Sequence, residues 1–303
     1  MNYSSPLFLP VVLKEKRILV LDETALPFKE EYLEIKNLAA ALDILAKMKT
    51  RALGQVLLFF QSAILFQEEI SPEELAKRFK ELRPTFDFEL LGQILKKQVK
   101  AGITLEEAVK NFIEGLEQKR KARAKELAKD LPGKANILTI CNVSGELVYL
   151  FAELENMGKE AIFYVSETRP YLQGSRLTFW ELRKNKIPSF LICDNQAASL
   201  MQEKKVNCVI VGSDRSTLNG DIINKIGTYS LARLAKHFGI PFYALTQYPK
   251  DIDINTIEIE ERQENEVFMF LEGIGSLEYE AVYPSFDITK KEFITKTYEI
   301  KAN

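Results

Sequence analysis

The sequence predicts an α/β protein: a Rossmann-like, parallel-sheet C-terminal domain preceded by a smaller, mainly helical N-terminal domain. Three observations carry that prediction. From Asn136 onward, short apolar runs at 137–139, 161–165, 189–193, 208–211 and 241–245 alternate with helical segments. Their spacing of about 25 to 30 residues is that of repeated βα units joined by right-handed crossovers. Before residue 131 helical periodicity dominates, and Leu131-Pro132-Gly133 then breaks the last helix. The domain boundary is placed there, giving 1–131 and 132–303, as a chain of 303 residues leads one to expect.

Taken in order, 17–22 reads as a strand of a small N-terminal sheet. Apolar residues recur at helical spacing through 34–48 (Ile35, Leu38, Ala39, Leu42, Leu45, Ala46), and 56–66 is a strongly apolar helix. Ser71-Pro72-Glu73-Glu74 combines a capping hydroxyl, a first-turn proline and a carboxylate three residues on. Thr104-Leu105-Glu106-Glu107 repeats that start for a long amphipathic helix reaching about Lys129. The basic run Lys119-Arg120-Lys121-Ala122-Arg123 on it reads as a solvated face. Cys208–Val211 has the β-branched character of a strand covered on both sides, followed by a polar loop punctuated by Gly212, Asn219, Gly220 and Gly227.

Composition narrows the function classes. With 46% hydrophobic and 28% charged residues and a net charge of −2, nothing favours nucleic acid or a membrane surface as partner. Segment 6–13 is apolar but short and proline-bearing, with Lys14 and Lys16 where a leader would have a cleavage site. The three cysteines, Cys141, Cys193 and Cys208, suggest a reducing compartment, hence the cytoplasm, and no disulfide framework. The single histidine, His237, sits near a helix end and reads as a surface group. No Cys or His falls at zinc-ligand spacing. No Walker A sequence is present, and Gly273-Ile274-Gly275 lacks the third glycine and helix of a dinucleotide fingerprint.

Ligands of open parallel sheets bind at the carboxyl ends of the strands. Those ends carry Cys141-Asn142, Glu167-Thr168-Arg169, Asp194-Asn195, Ser213-Asp214-Arg215 and Thr246-Gln247. Cys141 precedes the helical stretch 146–157, and a helix N-terminus lowers a thiol pKa and holds phosphate. Its alternative is an ordinary buried cysteine. Asp214, at a strand end with an apolar wall behind it, is either a general acid or an ion-paired loop cap beside Arg215.

Several segments resemble one family closely and in order: L-D-E-T-A-L-P at 21–27, R-P-T at 83–85, I-L-T-I-C-N at 137–142, E-T-R-P-Y-L-Q-G-S-R-L-T at 167–178, V-I-V-G-S-D-R at 209–215, N-G-D at 219–221, N-K-I-G-T-Y at 224–229, L-A-K-H-F-G-I-P-F-Y at 234–243, I-E-E-R at 259–262 and P-S-F-D-I-T at 284–289. They are similar to the S-methyl-5-thioribose-1-phosphate isomerases, within the broader family that includes regulatory subunits of translation initiation factor 2B and archaeal ribose-1,5-bisphosphate isomerases. The resemblance implies acid–base work by Cys141 and Asp214. It implies substrate contacts from Arg51, Arg83, Gln173, Asn224 and Lys225, a sugar phosphate as small-molecule partner, no metal or organic cofactor, and a homodimer. Two departures stand out. Ile140 occupies a position that is usually histidine, and the family's R-G-A-P-A-I-G loop reads R-A-L-G-Q-V-L from Arg51. Alternatives from the same resemblance are an isomerase of ribose 1,5-bisphosphate or 5-deoxyribose 1-phosphate, and a non-catalytic regulatory or sensing subunit. Keeping both Cys141 and Asp214 argues against the last.

Overall fold

A computed structural model describes residues 3–84, 86–246, 259, 261, 264–268 and 280–300. Gly273-Ile274-Gly275, Thr85, Gln247, Glu260 and Arg262 lie outside the described residues. The chain forms two compact units, Ser4–Lys119 and Met1–Tyr3 with Arg120–Asn303.

In the first unit, strands β1 (Val11–Lys14), β2 (Arg17–Leu21) and β3 (Tyr32–Ile35) form an antiparallel sheet in that order. Helices α1 (Leu38–Ala46), α2 (Leu53–Leu65), α3 (Pro72–Leu82), α4 (Phe88–Lys100) and the start of α5 (Leu105–Asp130) follow. The first helix is shorter than its periodicity suggests, because 32–35 pairs with β2 and Asn37 caps the helix through Oδ1, 2.9 Å from Ala40 N. The start signals at Ser71 and Thr104 act as expected, each hydroxyl accepting at 3.2 Å from the amide three residues on. The core is aromatic: Phe59, Phe79 and Phe88 are fully buried with ring centroids 5.3–5.7 Å apart.

In the second unit, β4 (Lys134–Thr139), α6 (Glu146–Asn156), β5 (Glu160–Ser166), a π-helical turn (Gly174–Phe179), α7 (Trp180–Lys184), β6 (Ser189–Ile192), α8 (Ala197–Gln202) and β7 (Cys208–Val211) follow one another. They are succeeded by β8 (Arg215–Ser216), β9 (Ile222–Lys225), α9 (Thr228–Phe238), β10 (Phe242–Thr246), β11 (Phe286–Thr289) and β12 (Lys296–Glu299). The main sheet is parallel throughout, in the order β12-β10-β7-β4-β5-β6. This is the doubly wound order. Alternation along the strands explains the two covered faces. Ile137, Cys208, Ile210, Tyr243 and Leu245 meet α6 and the carboxyl-terminal turns of α5, whereas Leu138, Val209, Val211, Phe242 and Ala244 meet α8 and α9.

The division between units falls inside α5 because Ala124, Leu127, Ala128 and Leu131 turn into the core of the parallel sheet. The basic run on this helix is not a solvated face. Arg120 and Arg123 share the buried stripe at helical spacing, with Arg120 only 2% exposed, while Lys121 and Lys125 point outward. His237 is exposed in the last turn of α9, as expected. Cys193 lies just past β6 and is exposed rather than buried within the strand. The loop after β7 is itself partly sheet, since β8, β9 and β11 form a small antiparallel sheet.

Candidate active site

The chain lays β4, β5 and β6 side by side, then returns to place β7 on the other flank of β4. The topological switch point, where open sheets of this kind hold ligands, is therefore between the ends of β4 and β7. The pairing Leu138↔Val209, continued along the strands, sets Cys141 level with Gly212. A Cβ built on Gly212 would lie 3.5 Å from Val143 Cγ1, 3.9 Å from Asn224 Oδ1 and 4.0 Å from Asn142 O. The sequence neighbours of Cys141 and Asp214 and the amide of Asn224 thus converge on one point. Asp214 is half-buried there, its backbone N–H donating to Ile223 O at 3.0 Å.

Cys141 has left-handed backbone, φ 64°, as do Ser144 (49°) and Gly145 (81°) before α6. For a non-glycine residue that costs about 1 kcal/mol or more, so the joint needs support. Cys141 N donates to Thr168 Oγ1 at 2.8 Å, and Cys141 O accepts from Thr178 Oγ1 at 2.6 Å. Asn142 Nδ2 donates to Thr178 Oγ1 (3.0 Å) and Glu181 Oε1 (3.2 Å), and Asn142 Oδ1 accepts from Ser144 N at 2.7 Å. Beneath the turn, Arg120 donates to Ser144 O and, through Nε, to Glu146 Oε1 at 2.7 Å. Arg123 Nε donates to Glu146 Oε2 at 3.0 Å and its Nη1 to Thr246 O at 2.6 Å. Glu146 is 1% exposed, so an Arg–Glu–Arg cluster is sealed under the candidate cysteine. Burial presses the charged form of Arg120 downward, and Glu146 opposes that.

Asn224 and Lys225 lie on β9 and are both buried. Asn224 Nδ2 donates to Thr228 Oγ1 at 2.9 Å, and the Lys225 ammonium stands 4.7 Å from the centre of the Phe286 ring. Helix α9 begins at Gly227, φ 100°, which has no side chain to cap it. Asp287 from β11 supplies the cap, accepting from Gly227 N at 2.7 Å and from Tyr229 N at 3.1 Å. Its burial raises its pKa to about 6. Asp221 holds the loop below, accepting from Lys291 N at 2.8 Å and Lys290 Nζ at 3.0 Å. Gln173 is buried before the π-helical turn, with no hydrogen-bond partner for its Oε1 among the described residues. Gly174 next to it packs so closely on β5 that a Cβ would lie 1.7 Å from Ser166 O. Asp194, another polar strand end, is a support: it accepts from Thr168 N at 2.9 Å and Arg169 N at 2.7 Å.

Arg51 and Arg83 belong to the first unit. Arg83 ends α3, buried, with its guanidinium 6.0 Å from the Phe86 ring centre. Arg51 N donates to Glu23 Oε1 at 3.1 Å, and Thr50 Oγ1 donates to the same oxygen at 2.7 Å. Glu23, from the 21–27 motif, is buried, and that burial lifts its pKa to about 7. Ala52 takes φ 39°, a region glycine enters without cost, so the altered loop keeps an unusual backbone without the residue that favours it. Ile140, the other departure, is buried in the α8–α9 face, and its Cδ1 lies 3.1 Å from where a Gly227 Cβ would be.

Among the described residues no helix is long and apolar enough to cross a membrane, and no group of three His, Cys, Asp or Glu could hold a metal ion. No local pattern marks Arg120, Arg123, Glu146, Glu181, Thr168 and Thr178 individually. For the arginines, the register of Ala124, Leu127 and Ala128 was the available signal.

Residues 25–298 match the model of the Initiation factor 2 subunit family. The chain is 48% identical over 174 residues to the methylthioribose-1-phosphate isomerase of Caldicellulosiruptor saccharolyticus, an alignment covering 53% of this chain and 51% of that protein. It is 35% identical to the enzyme of the same name from Petrotoga mobilis, over 92% of this chain and 90% of that one. The crystal structure of 5-methylthioribose 1-phosphate isomerase from Pyrococcus horikoshii OT3 superposes with a TM-score of 0.82 at 27% identity, covering 99% of this chain and 94% of that chain. By sequence, fold and the length over which both agree, the chain belongs to the Initiation factor 2 subunit family, on the branch that carries the methylthioribose-1-phosphate isomerases.

Proposed function

We propose that the protein is an aldose–ketose isomerase that converts 5-methylthioribose 1-phosphate into 5-methylthioribulose 1-phosphate in methionine salvage. What supports the reading above all is the convergence of the Cys141 and Asp214 loops on the switch point at Gly212. In an aldose 1-phosphate the anomeric oxygen is esterified, so the ring does not open to a free aldehyde. The bond from C1 to the ring oxygen has to break with protonation of that oxygen, while one hydrogen moves from C2 to C1 and the C2 hydroxyl becomes the carbonyl. Asp214 is assigned the proton for the ring oxygen and, as the carboxylate that this leaves, takes the proton of the C2 hydroxyl as the carbonyl forms. Cys141, as thiolate, takes the C2 proton and returns it to C1.

Lys225 and the N–H groups after Cys141 are assigned to the phosphate, with Gln173 and Asn224 on the sugar. The start of α9 is a poor rival for the phosphate, because Asp287 already accepts from its N–H groups. The working unit in this reading is a cytoplasmic homodimer, which sedimentation of the purified protein tests.

The deciding experiment is turnover of 5-methylthioribose 1-phosphate, ribose 1,5-bisphosphate and 5-deoxyribose 1-phosphate by purified protein. The highest kcat/KM is expected on the first. Preference for either of the others changes the substrate and keeps the chemistry. Tight binding of a sugar phosphate by folded protein that turns over none of the three overturns the enzyme reading in favour of a sensor.

A further inference from the structure

Both backbone polar groups of Cys141 are held by threonine hydroxyls that flank Gln173. Strand β4 ends at Thr139, so the peptide groups of Cys141 are past the ladder, where water ordinarily serves. Here the N–H goes to Thr168 Oγ1 at 2.8 Å and the C=O accepts from Thr178 Oγ1 at 2.6 Å. Both threonines are fully buried.

Their hydrogen bonds run one way only. Thr168 Oγ1 uses its proton on Ser166 O at 3.0 Å and accepts from Cys141 N. Thr178 Oγ1 uses its proton on Cys141 O and accepts from Asn142 Nδ2 at 3.0 Å. The segment between them is pinned at its start and midway: Thr168 N donates to Asp194 Oδ1 at 2.9 Å, and Gly174 is seated against Ser166 O with no room for a Cβ. The turn that carries Gln173 and the joint that carries Cys141 are therefore one construction.

We propose that Thr168 and Thr178 are positioning residues for the isomerase reaction, a clamp that fixes the left-handed backbone of Cys141 and couples it to the Gln173 turn. Neither carries charge, so what they supply is geometry. A displacement of about 1 Å at a reacting group costs on the order of 10²-fold in rate. The proposal rests on the reading of Cys141 as a reacting group.

The test pairs Thr178→Val, which removes the hydroxyl and keeps the volume, with Thr178→Ser, which keeps the hydroxyl, and repeats this at Thr168. On 5-methylthioribose 1-phosphate the valine variants are expected to lose ~10- to 100-fold in kcat with KM within about 3-fold, and the serine variants to recover most of it. Cys141 alkylation by iodoacetamide, followed peptide by peptide with exposed Cys193 as internal reference, is expected to change in the valine variants and to return in the serine ones. A role confined to stability would lower Tm and leave both readouts unmoved.

Folded valine variants with the parent's kcat and Cys141 reactivity overturn the clamp. Where a valine variant does not fold, the alanine and serine variants at that site decide, and equal kcat and equal Cys141 reactivity in the two overturns it. If the parent protein turns over none of the sugar phosphates, the functional reading fails, while the alkylation comparison still tests the clamp.

Discussion

Two strand-to-helix joints in the same unit begin alike and are completed in opposite ways. The joint from β4 into α6 and the joint from β9 into α9 both pass through a left-handed glycine, Gly145 and Gly227, with no side chain of its own to cap the helix. At α9 a carboxylate, Asp287, arrives from β11 and occupies the helix N-terminus. At α6 the support comes from below and from the side: Arg120, Arg123 and Glu146 under the turn, Thr168, Thr178 and Glu181 beside it. The two arginines and two glutamates around that joint balance in charge, so the construction supplies order rather than a field. A helix start that accepts a protein anion is already satisfied. One whose backbone is braced from behind is suited to present a side chain.

The sharpest way to break this contrast is at the presented groups. Cys141→Ser and Asp214→Asn are each expected to lower kcat on 5-methylthioribose 1-phosphate by ~10²- to 10⁴-fold, the usual range for a general acid or base. Full activity in either variant ends the two-residue mechanism. Next in size is Glu146→Ala, which leaves Arg120 and Arg123 buried without their carboxylate. Equilibrium urea unfolding is expected to show a loss of ~3–5 kcal/mol, because desolvation of the arginines is no longer repaid by the partner.

The α9 joint is expected to answer to pH instead. The native state keeps the Asp287 proton up to about pH 6, whereas an ordinary aspartate gives it up near 3.8. Between those values the folded protein binds more protons than the unfolded chain, so this group's contribution is full below about pH 4 and is lost as pH rises through 6. Asp287→Asn keeps an acceptor for Gly227 N and removes that slope. Thermal unfolding from pH 4 to 7 is expected to differ from the parent by roughly 3 kcal/mol across the range. The smallest effect is Gly227→Ala, which forces alanine to φ 100° with Ile140 Cδ1 at 3.1 Å; a loss of ~1–2 kcal/mol is expected by the same urea measurement.

Much of this was legible in the chain. Cys208–Val211 reads as a doubly covered strand and is one, because alternate residues face two helical layers and neither face tolerates a polar side chain. Ser71 and Thr104 read as helix starts and cap their helices, because capping is settled within four residues. The 32–35 segment was less readable: Ile35 fits the helical repeat, yet pairing with β2 makes it a strand. Arg120 and Arg123 read as solvated because they stand among lysines. Composition alone does not tell which side of a helix a charge is on, and it is the carboxylate of Glu146, 23 residues beyond Arg123, together with the carbonyls of Ser144 and Thr246, that makes their burial tolerable.

The sequence by itself determined the local events: where helices start, where the sheet strands run, and that cysteine, aspartate, asparagine and lysine stand at their polar ends. These depend on residues within a turn or two of one another. The tertiary structure decided which strand ends become neighbours, since the crossover that sets β7 beside β4 brings Gly212 level with Cys141. It also decided what steadies them. Thr168, Thr178, Arg120 and Asp287 reach their partners across 20 to 60 residues of chain, and at that range hydrogen-bond direction and burial are properties of the fold, not of any local pattern.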